Sequence, residues 1–280
     1  SDVCSSDLLF EGQAAAEATG QLLREAFTAT RKNEAMDDFA QLVQAMHIER
    51  SWVERIGSRA FPRTFQVVDD PGLESIGSVR LAGRYDVDDE GVRAERVLLV
   101  DNGMVRGVLA SRTPVKGVTA SNGHGRGVPA TATIGNMVVT STAGMPRAAL
   151  RERLLAEVRE RGLPYGIVVR RLQPSSAREV IGYDNWDPDA GKRIGEAGLT
   201  LPADVFRLYP DGREETIRNV AVLDVSFRSF RDILAAGDRA NVENLVKGEP
   251  SGADTRLVPA SVTAPDLLFD EAIVAPVKGS

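Results

Sequence analysis

Few side chains in this sequence could supply a nitrogen or sulfur ligand to a metal ion. The 280 residues include two histidines, His47 and His124, and one cysteine, Cys4. A hydrolytic zinc site needs about three protein ligands and an open position for water. The two histidines would have to converge across the fold to build such a site, and nothing in the sequence requires that they do.

Each histidine has a structural and a functional interpretation. His47 lies in the tetrapeptide His-Ile-Glu-Arg on a predicted helix. This context favours a surface or half-buried helix residue over a ligand, because histidines outside a recognised motif seldom bind metal. His124 lies in a glycine-rich loop, where it could contact either a substrate or the backbone.

The glycine loop, residues 121–127, reads S-N-G-H-G-R-G. It is not a phosphate-binding loop, because it lacks the Lys-Ser/Thr pair and the helix start that complete such loops. Glycine permits the close approach of another backbone, so we predict that this loop contacts a bound peptide. The candidate substrate-binding residues are Ser121, Asn122, Gly123, His124, Gly125 and Arg126.

Three consecutive acidic residues, Asp88, Asp89 and Glu90, form another candidate site. Their carboxylates could hold a hard cation such as calcium or magnesium. We favour a turn at a strand end, in which the acids accept hydrogen bonds from backbone N–H groups. A serine hydrolase is unsupported, because the sequence places no His-Asp pair within reach of a serine.

Hydrophobic residues recur at three- and four-residue spacing along several segments, which predicts helices there. The helix predicted over residues 146–161 has Pro146 near its start and Gly162 just past its end, the usual arrangement. The other predicted helices cover residues 10–31, 37–56 and 227–236.

Short β-branched runs bounded by turn residues predict strands and hairpins. Asn102-Gly103 separates two apolar runs and suits a tight turn, because both residues tolerate positive φ. A second hairpin is predicted around residues 209–212, and further strands over residues 65–68, 167–169, 256–262 and 267–274. Hairpins combined with separate helices predict an α+β fold rather than a doubly wound parallel sheet.

Composition and charge exclude some classes of function. The chain is 42% hydrophobic and 26% charged, which is typical of a globular protein, and its formal net charge is −6. An acidic balance argues against broad binding of a nucleic-acid backbone, which needs a surplus of Lys and Arg on one face. The sequence has no apolar run long enough to predict a membrane span.

The first eight residues, S-D-V-C-S-S-D-L, match the translation of a common sequencing adapter. We therefore expect residues 1–8 to be an artefact that should be left out of fold reasoning. The alternative is a Ser-rich N-terminal tail. If the artefact interpretation is correct, Cys4 is not native, and the remaining sequence has no cysteine for a disulfide.

Several motifs, taken in order, resemble the TldD/PmbA metallopeptidase family, also called modulators of DNA gyrase. V-V-D-D-P-G at residues 67–72 and D-V-D-D-E-G-V at residues 86–92 are similar to family segments that precede a hairpin. S-N-G-H-G-R at residues 121–126 resembles the family's S-T-G-N-G-R loop, and Asn136 follows it like the Asn of a downstream M-T-N segment. Residues 257–259 and 265–274 look like the family's closing strands.

The resemblance implies a two-part protein with an N-terminal α/β domain, which this sequence lacks, and a β-rich C-terminal domain with antiparallel hairpins and a few helices. On this basis residues 9–60 are a helical segment that ends the central region and contains a degenerate metal-site helix. Residues 61–280 are the β-rich domain. A cytoplasmic location is the default expectation.

Active members of the family carry an H-E-x-x-x-H motif on a helix and a cysteine near the C-terminal end, and these residues bind zinc. The resemblance places the three ligand positions at Ala16, Gln21 and Ser251, and the general base at Glu17. Neither Ala nor Gln is a competent zinc ligand in this role, and a Ser hydroxyl replaces a thiolate poorly. Without a metal-bound water to deprotonate, Glu17 is expected to be an exposed helix carboxylate.

We therefore expect a PmbA-like subunit without metal or other cofactor, which supports proteolysis of small or unfolded peptides. The expected partner is a TldD-type paralogue, or a second copy of the chain, and nucleic acid and membranes are not expected partners. An active zinc metallopeptidase, with ligands elsewhere in the protein, is the first alternative. A module that binds gyrase or nucleic acid is the second alternative, and the acidic charge argues against it.

Overall fold

A computed structural model describes residues 4–29, 52–173, 186–187, 192–193, 199–247 and 258–276. These residues form two α-helices, α1 (Gln13–Leu23) and α2 (Arg147–Glu160), and two short 3-10 helices, Val53–Arg55 and Phe227–Asp232. The helix predicted over residues 37–56 lies mostly outside the described residues. No helix within the described ranges is long and apolar enough to cross a membrane.

Strands dominate the described structure, which confirms the predicted α+β fold. In chain order the strands are β1 (Cys4–Phe10), β2 (Phe65–Asp69), β3 (Ser75–Ile76), β4 (Val79–Arg80), β5 (Val97–Asp101), β6 (Met104–Val105), β7 (Gly125–Arg126), β8 (Thr131–Ala132), β9 (Asn136–Ser141), β10 (Gly144–Met145), β11 (Gly166–Leu172), β12 (Trp186–Asp187), β13 (Lys192–Arg193), β14 (Pro202–Leu208), β15 (Glu214–Ile217), β16 (Val220–Leu223), β17 (Ile233–Lys247) and β18 (Val258–Pro276).

The chain divides into two compact units that alternate along the sequence. The first unit contains residues 1–22, 141–241 and 264–280, and the second contains residues 23–140 and 242–263. Strands β17 and β18 each contribute residues to both units. Neither unit begins or ends at the domain boundary predicted between residues 60 and 61.

The first unit contains the strand order β15-β14-β11-β1-β18. Strand β1 pairs in parallel with β11 and antiparallel with β18, so it lies inside the sheet. Residues 4–8, which the sequence analysis assigned to an adapter artefact, form part of this strand, and their origin stays a prediction. Helix α2 packs on the same unit's core through Leu150, Leu154, Leu155 and Val158.

Helix α2 matches its predicted bounds closely. Four leucines and valines at helical spacing are buried on one face, while Pro146 precedes the first turn and Gly162 follows the last with a φ of 66°. A left-handed residue after the last turn ends the helix, and glycine adopts that conformation without steric cost.

Helix α1 is shorter than the predicted helix over residues 10–31. Phe10 belongs to β1, because the apolar run that ends there pairs between two strands, and Gly12 with a φ of 64° turns the chain into the helix. After Leu23 the chain turns rather than continuing as helix. Tertiary pairing therefore overrides the local helical pattern at the start of this segment.

Two predictions near the C-terminal end were also wrong in part. Residues 227–236 form a 3-10 helix only as far as Asp232, because the following residues enter β17, where Ala236 pairs with Gly144 of β10. The two predicted tail strands are one continuous strand, β18. Its partners change along its length, from β9 near Ser261 to β1 near Leu267.

The second unit contains the strand order β9-β2-β5-β6. The predicted hairpin between β5 and β6 is confirmed, with Asn102 at a φ of 49° and Gly103 at 74° in its turn. These angles are those of a type I′ turn, whose twist matches that of the flanking strands. The short ladders β3–β4 and β7–β8 also belong to this unit.

Gly83, in the second unit, lies where a side chain does not fit. A Cβ atom added to Gly83 would lie 2.0 Å from the Gly135 carbonyl oxygen and 2.5 Å from Asn136 Oδ1. The neighbouring amides of Ala82 and Gly83 are fixed because both donate to Ser261 Oγ, at 2.8 and 3.2 Å. The backbone at Gly83 therefore cannot retreat without breaking these hydrogen bonds.

We predict that Gly83→Ala destabilises the protein by about 1–3 kcal/mol, the usual cost of overpacking a core. Urea unfolding at neutral pH measures the change. Gly72→Ala is the matched control, because the added Cβ would come no closer than 3.3 Å to Asp70 Oδ1. Equal stability of the two variants would contradict the close approach at Gly83.

Candidate functional site

Helix α1 carries the positions that the resemblance assigns to the catalytic motif. The helix is α-helical throughout Gln13–Leu23, so side chains at positions 16 and 21 diverge by about 140°. Ala16 is completely buried, and every residue from 14 to 20 is buried. A histidine at position 16 would therefore have to displace packed atoms, and it would point away from position 21.

Glu17 is buried, contrary to the exposed carboxylate expected from the sequence. Its Oε2 accepts a hydrogen bond of 2.6 Å from the backbone N–H of Leu172, at the end of β11. Burial raises the pKa of Glu17 above its usual value, and the Leu172 N–H and the charge of Arg171 offset the rise only in part. The carboxylate holds α1 to β11.

Gln21 uses both ends of its amide in hydrogen bonds. Its Oε1 accepts from the Thr200 N–H at 2.7 Å, and its Nε2 donates to Thr200 Oγ1 at 2.9 Å. Thr200 Oγ1 in turn donates to the Gln173 carbonyl at 2.6 Å. We call Glu17 and Gln21, with these three partners Leu172, Gln173 and Thr200, the α1 clamp.

The remaining metal candidates give no ligand cluster in the described residues. His47 and Ser251 lie outside those residues. Within residues 4–29, 52–173, 199–247 and 258–276, no group of three or more His, Cys, Asp or Glu side chains could hold a metal ion.

The acidic turn at residues 88–90 has the structural role favoured from the sequence. Asp88 accepts from the N–H groups of Glu90 and Val92 through Oδ1 and from Gly125 through Oδ2. Asp89 Oδ2 accepts from the Gly127 N–H at 2.7 Å. Glu90 Oε2 accepts from the Arg112 N–H at 2.7 Å. All three carboxylates are therefore engaged by backbone amides.

The glycine loop surrounds a buried histidine. His124 is completely buried, and its Nε2 lies 3.1 Å from Oδ1 of Asp69, which is also completely buried. Its Nδ1 lies 3.0 Å from both the carbonyl oxygen and Oδ1 of Asn122. Tyr85 packs edge-on against the imidazole and donates its hydroxyl to the Gly123 carbonyl at 2.9 Å.

The glycines of the loop let the chain's own atoms approach closely. A Cβ on Gly123 would lie 2.2 Å from the Arg93 carbonyl oxygen, and a Cβ on Gly125 would lie 2.1 Å from Glu90 Oε2. Gly123 also has a φ of 75°, which other residues rarely adopt. These contacts account for both glycines through packing, and contact with a peptide stays a prediction.

The other predicted residues of the loop are partly exposed. Ser121 Oγ donates to the Ala110 carbonyl at 3.2 Å, and Asn122 is held by Val108 and Ala110. Arg126 stacks over the Tyr85 ring at 4.0 Å. Ser121, Asn122 and Arg126 are the predicted substrate-binding residues that keep solvent-accessible surface.

Sequence reasoning missed two buried carboxylates that organise polar networks. Asp69 appeared only as part of the V-V-D-D-P-G motif at residues 67–72, and its partner His124 lies 55 residues away. Glu11 accepts hydrogen bonds from Arg151 at 2.7 Å and from Arg170 at 2.9 Å. Burial alone would raise the pKa of Glu11, but these arginines together with Arg147 hold it below its usual value.

Comparison with known proteins identifies the family. A family model described as the PmbA/TldA metallopeptidase C-terminal domain matches residues 14–179. The chain belongs to this family. The match begins in α1 and extends past β11, so it includes the described α1 clamp residues up to Gln173 and the whole glycine loop.

Individual relatives match over different spans. A metalloprotease from Archaeoglobus fulgidus is 30% identical over 95 residues, which is 32% of this chain and 21% of that protein. A Thermotoga maritima protein named as a modulator of a DNA gyrase has a TM-score of 0.60 at 15% identity, over 98% of this chain and 50% of its own. TldE from Thermococcus kodakarensis has a TM-score of 0.55 at 16% identity, over 98% and 51%.

These relatives establish the extent of the likeness. At 15–16% identity the two solved structures show the fold alone, and they confirm the prediction that this fold is of the TldD/PmbA type. The chain spans about half the length of these solved relatives and about a fifth of the curated metalloprotease.

The α1 clamp predicts different results for two substitutions of Glu17. Glu17→Ala leaves the buried Leu172 N–H without an acceptor and should cost about 1–3 kcal/mol. Glu17→Gln keeps an acceptor oxygen and removes a buried charge, so the free energy of unfolding at neutral pH should be equal to or higher than that of the natural chain. Urea unfolding measures both.

The pH dependence of stability has a defined sign. Because the pKa of Glu17 is raised in the folded protein, its contribution to stability is full below the unfolded pKa and is lost as pH rises through the folded pKa. Glu17→Gln should remove this loss. If Glu17→Gln were as unstable as Glu17→Ala, stability would require the carboxylate itself. The hydrogen bonds of the α1 clamp would then not explain the role of Glu17.

Proposed function

We propose that this chain is part of a PmbA-like subunit that binds no catalytic metal and supports the hydrolysis of small or unfolded peptides by a partner subunit. One observation carries the proposal. The positions that the family resemblance assigns to the H-E-x-x-x-H motif hold Ala16, Glu17 and Gln21, and the last two form hydrogen bonds within the fold.

The chemistry of a zinc peptidase explains why this observation matters. A catalytic zinc needs side chains that donate lone pairs and a carboxylate free to take a proton from the metal-bound water. Ala16 has no donor atom, and both ends of the Gln21 amide are occupied by Thr200. Glu17 is buried against the Leu172 N–H, and without ligands at positions 16 and 21 no metal-bound water lies beside it to be deprotonated.

We propose a partner that supplies the missing chemistry. This partner would be a TldD-type paralogue with an intact H-E-x-x-x-H motif. Where no paralogue is encoded, the chain would form a homodimer. One of the structural relatives is named TldE, which supports pairing within the family as the mode of action. Zinc would belong to the partner, and this chain would need no cofactor of its own.

The peptide would reach this subunit at the glycine loop through the partly exposed Ser121, Asn122 and Arg126. The formal net charge of −6 supports a peptide over a nucleic acid as ligand. A cytoplasmic location is part of the same proposal.

Metal content and association test the proposal together. The protein purified without chelators should contain far less than one equivalent of zinc by elemental analysis. When it is co-expressed with a paralogue that carries H-E-x-x-x-H, the two should co-purify, and light scattering should give the mass of the complex.

Two results would contradict the proposal. The first is near-stoichiometric zinc that is lost in His47→Ala, which would place a metal site on this chain. The second is a strictly monomeric chain at micromolar concentration in the presence of the paralogue.

A further inference from the structure

Arg126 carries a positive charge that the described residues compensate only in part. Its side chain is 12% exposed, and its Nε lies 3.4 Å from Oδ2 of Asp89. The same Asp89 oxygen accepts a shorter hydrogen bond, of 2.7 Å, from the Gly127 N–H. The ion pair of Arg126 is therefore long, and its acceptor is shared with a backbone amide.

The far end of the Arg126 guanidinium also has a donor without an acceptor. Nη1 is buried and forms no hydrogen bond within the described part of the chain. A guanidinium has five N–H groups, and a buried donor that finds no acceptor costs free energy. A ligand oxygen at the exposed part of this guanidinium would therefore compensate a charge that the fold leaves under-paired.

Tyr85 holds the Arg126 guanidinium in one orientation. Cζ of Arg126 lies 4.0 Å from the centroid of the Tyr85 ring, which is a cation–π contact. The ring is itself fixed, because its hydroxyl donates to the Gly123 carbonyl at 2.9 Å. Burial, together with the charge of Asp69, raises the pKa of Tyr85, so its hydroxyl stays neutral and adds no negative charge. A planar cation that is already oriented loses less entropy when it binds a planar anion such as a carboxylate.

Two exposed valines are close to Arg126 along the chain or through its ion pair. Val128 is 62% exposed and follows Arg126 by two residues, in the turn between β7 and β8. Val87 is 54% exposed and precedes Asp89, the ion-pair partner of Arg126, by two residues. The second unit therefore has apolar surface beside a positive charge. This combination fits a ligand that joins a carboxylate to an apolar side chain.

We propose that Arg126 binds the C-terminal carboxylate of a peptide whose last residue is apolar, with the side chain of that residue against Val128. The inference rests on the proposed function, and it names the class of peptide that the glycine loop receives. A C-terminal residue carries its carboxylate and its side chain on one Cα atom, so both groups can be bound together. An internal glutamate or aspartate has the charge at the end of its own side chain and offers no adjacent apolar group.

Binding of short labelled peptides to the 280-residue chain alone measures this recognition, because the assay needs neither zinc nor a partner. Three peptides of equal length with an N-terminal fluorophore are compared by fluorescence anisotropy. The first ends in leucine with a free carboxylate, the second is its C-terminal amide, and the third is an amide with an internal glutamate. The free acid should bind about tenfold to hundredfold more tightly than either amide, the contribution of a charge-assisted hydrogen bond.

Two variants assign the preference for the free acid to Arg126. Arg126→Gln should lower the affinity for the free acid to that for its amide. Arg93→Gln is the matched control, because it removes the same charge from an exposed side chain whose backbone carbonyl lies beside Gly123. The control should keep the preference for the free acid. The comparison of acid and amide in the natural chain does not depend on the folding of either variant.

Several results would overturn the carboxylate site. Equal affinity of the natural chain for the acid and its amide would do so, and so would the absence of binding to all three peptides. Binding of the internal-glutamate amide as tightly as the free acid would show that any carboxylate suffices. An equal loss in Arg93→Gln and Arg126→Gln would show a general effect of charge. None of these results would change the zinc content or the co-purification that test the proposed function.

Discussion

The structure of α1 depends on one constraint, the need of buried polar atoms for hydrogen-bond partners, and the hydrogen bond from the Leu172 N–H to the Glu17 carboxylate shows it. Every residue from 14 to 20 of α1 is buried, so each polar atom there must find its partner within the chain. Glu17 meets this requirement through a backbone amide at the end of β11. Gln21, one turn further along and partly exposed, forms its hydrogen bonds with Thr200.

This constraint connects the structure of α1 with its chemistry. A side chain can bind a metal or move a proton only where it can reach the ion or the reacting group, and Glu17 is buried against β11. The regular geometry of α1 adds a second obstacle, because positions 16 and 21 point in different directions. The helix therefore has the structure of a packing element, which supports the proposal that the family's chemistry lies on a partner.

The same rule governs the second unit, where Asp69 is the corresponding buried carboxylate. It joins the end of β2 to Gly135 and to His124. Asp88 similarly binds the Gly125 amide. Buried networks of this kind specify one arrangement, because an unsatisfied member costs more than the hydrogen bond contributes.

Local signals made part of this structure predictable. The hairpin at Asn102-Gly103, helix α2 and the acidic turn at residues 88–90 each depend on residues close in sequence, and each was predicted correctly. The start of α1 at Gln13 and the continuity of β18 depend on pairing with distant strands, which periodicity does not encode. The burial of Glu17 has the same origin, since Leu172 lies 155 residues away.

The most direct measurement of the central claim is peptide cleavage by the reconstituted pair of this chain and a paralogue with H-E-x-x-x-H. Two variants are compared, one with the glutamate of the partner's motif changed to glutamine and one with Glu17→Gln in this chain. The account predicts that cleavage is lost with the partner's variant and retained with Glu17→Gln, and that this chain alone cleaves nothing. Cleavage by this chain alone, or its loss with Glu17→Gln, would contradict the account.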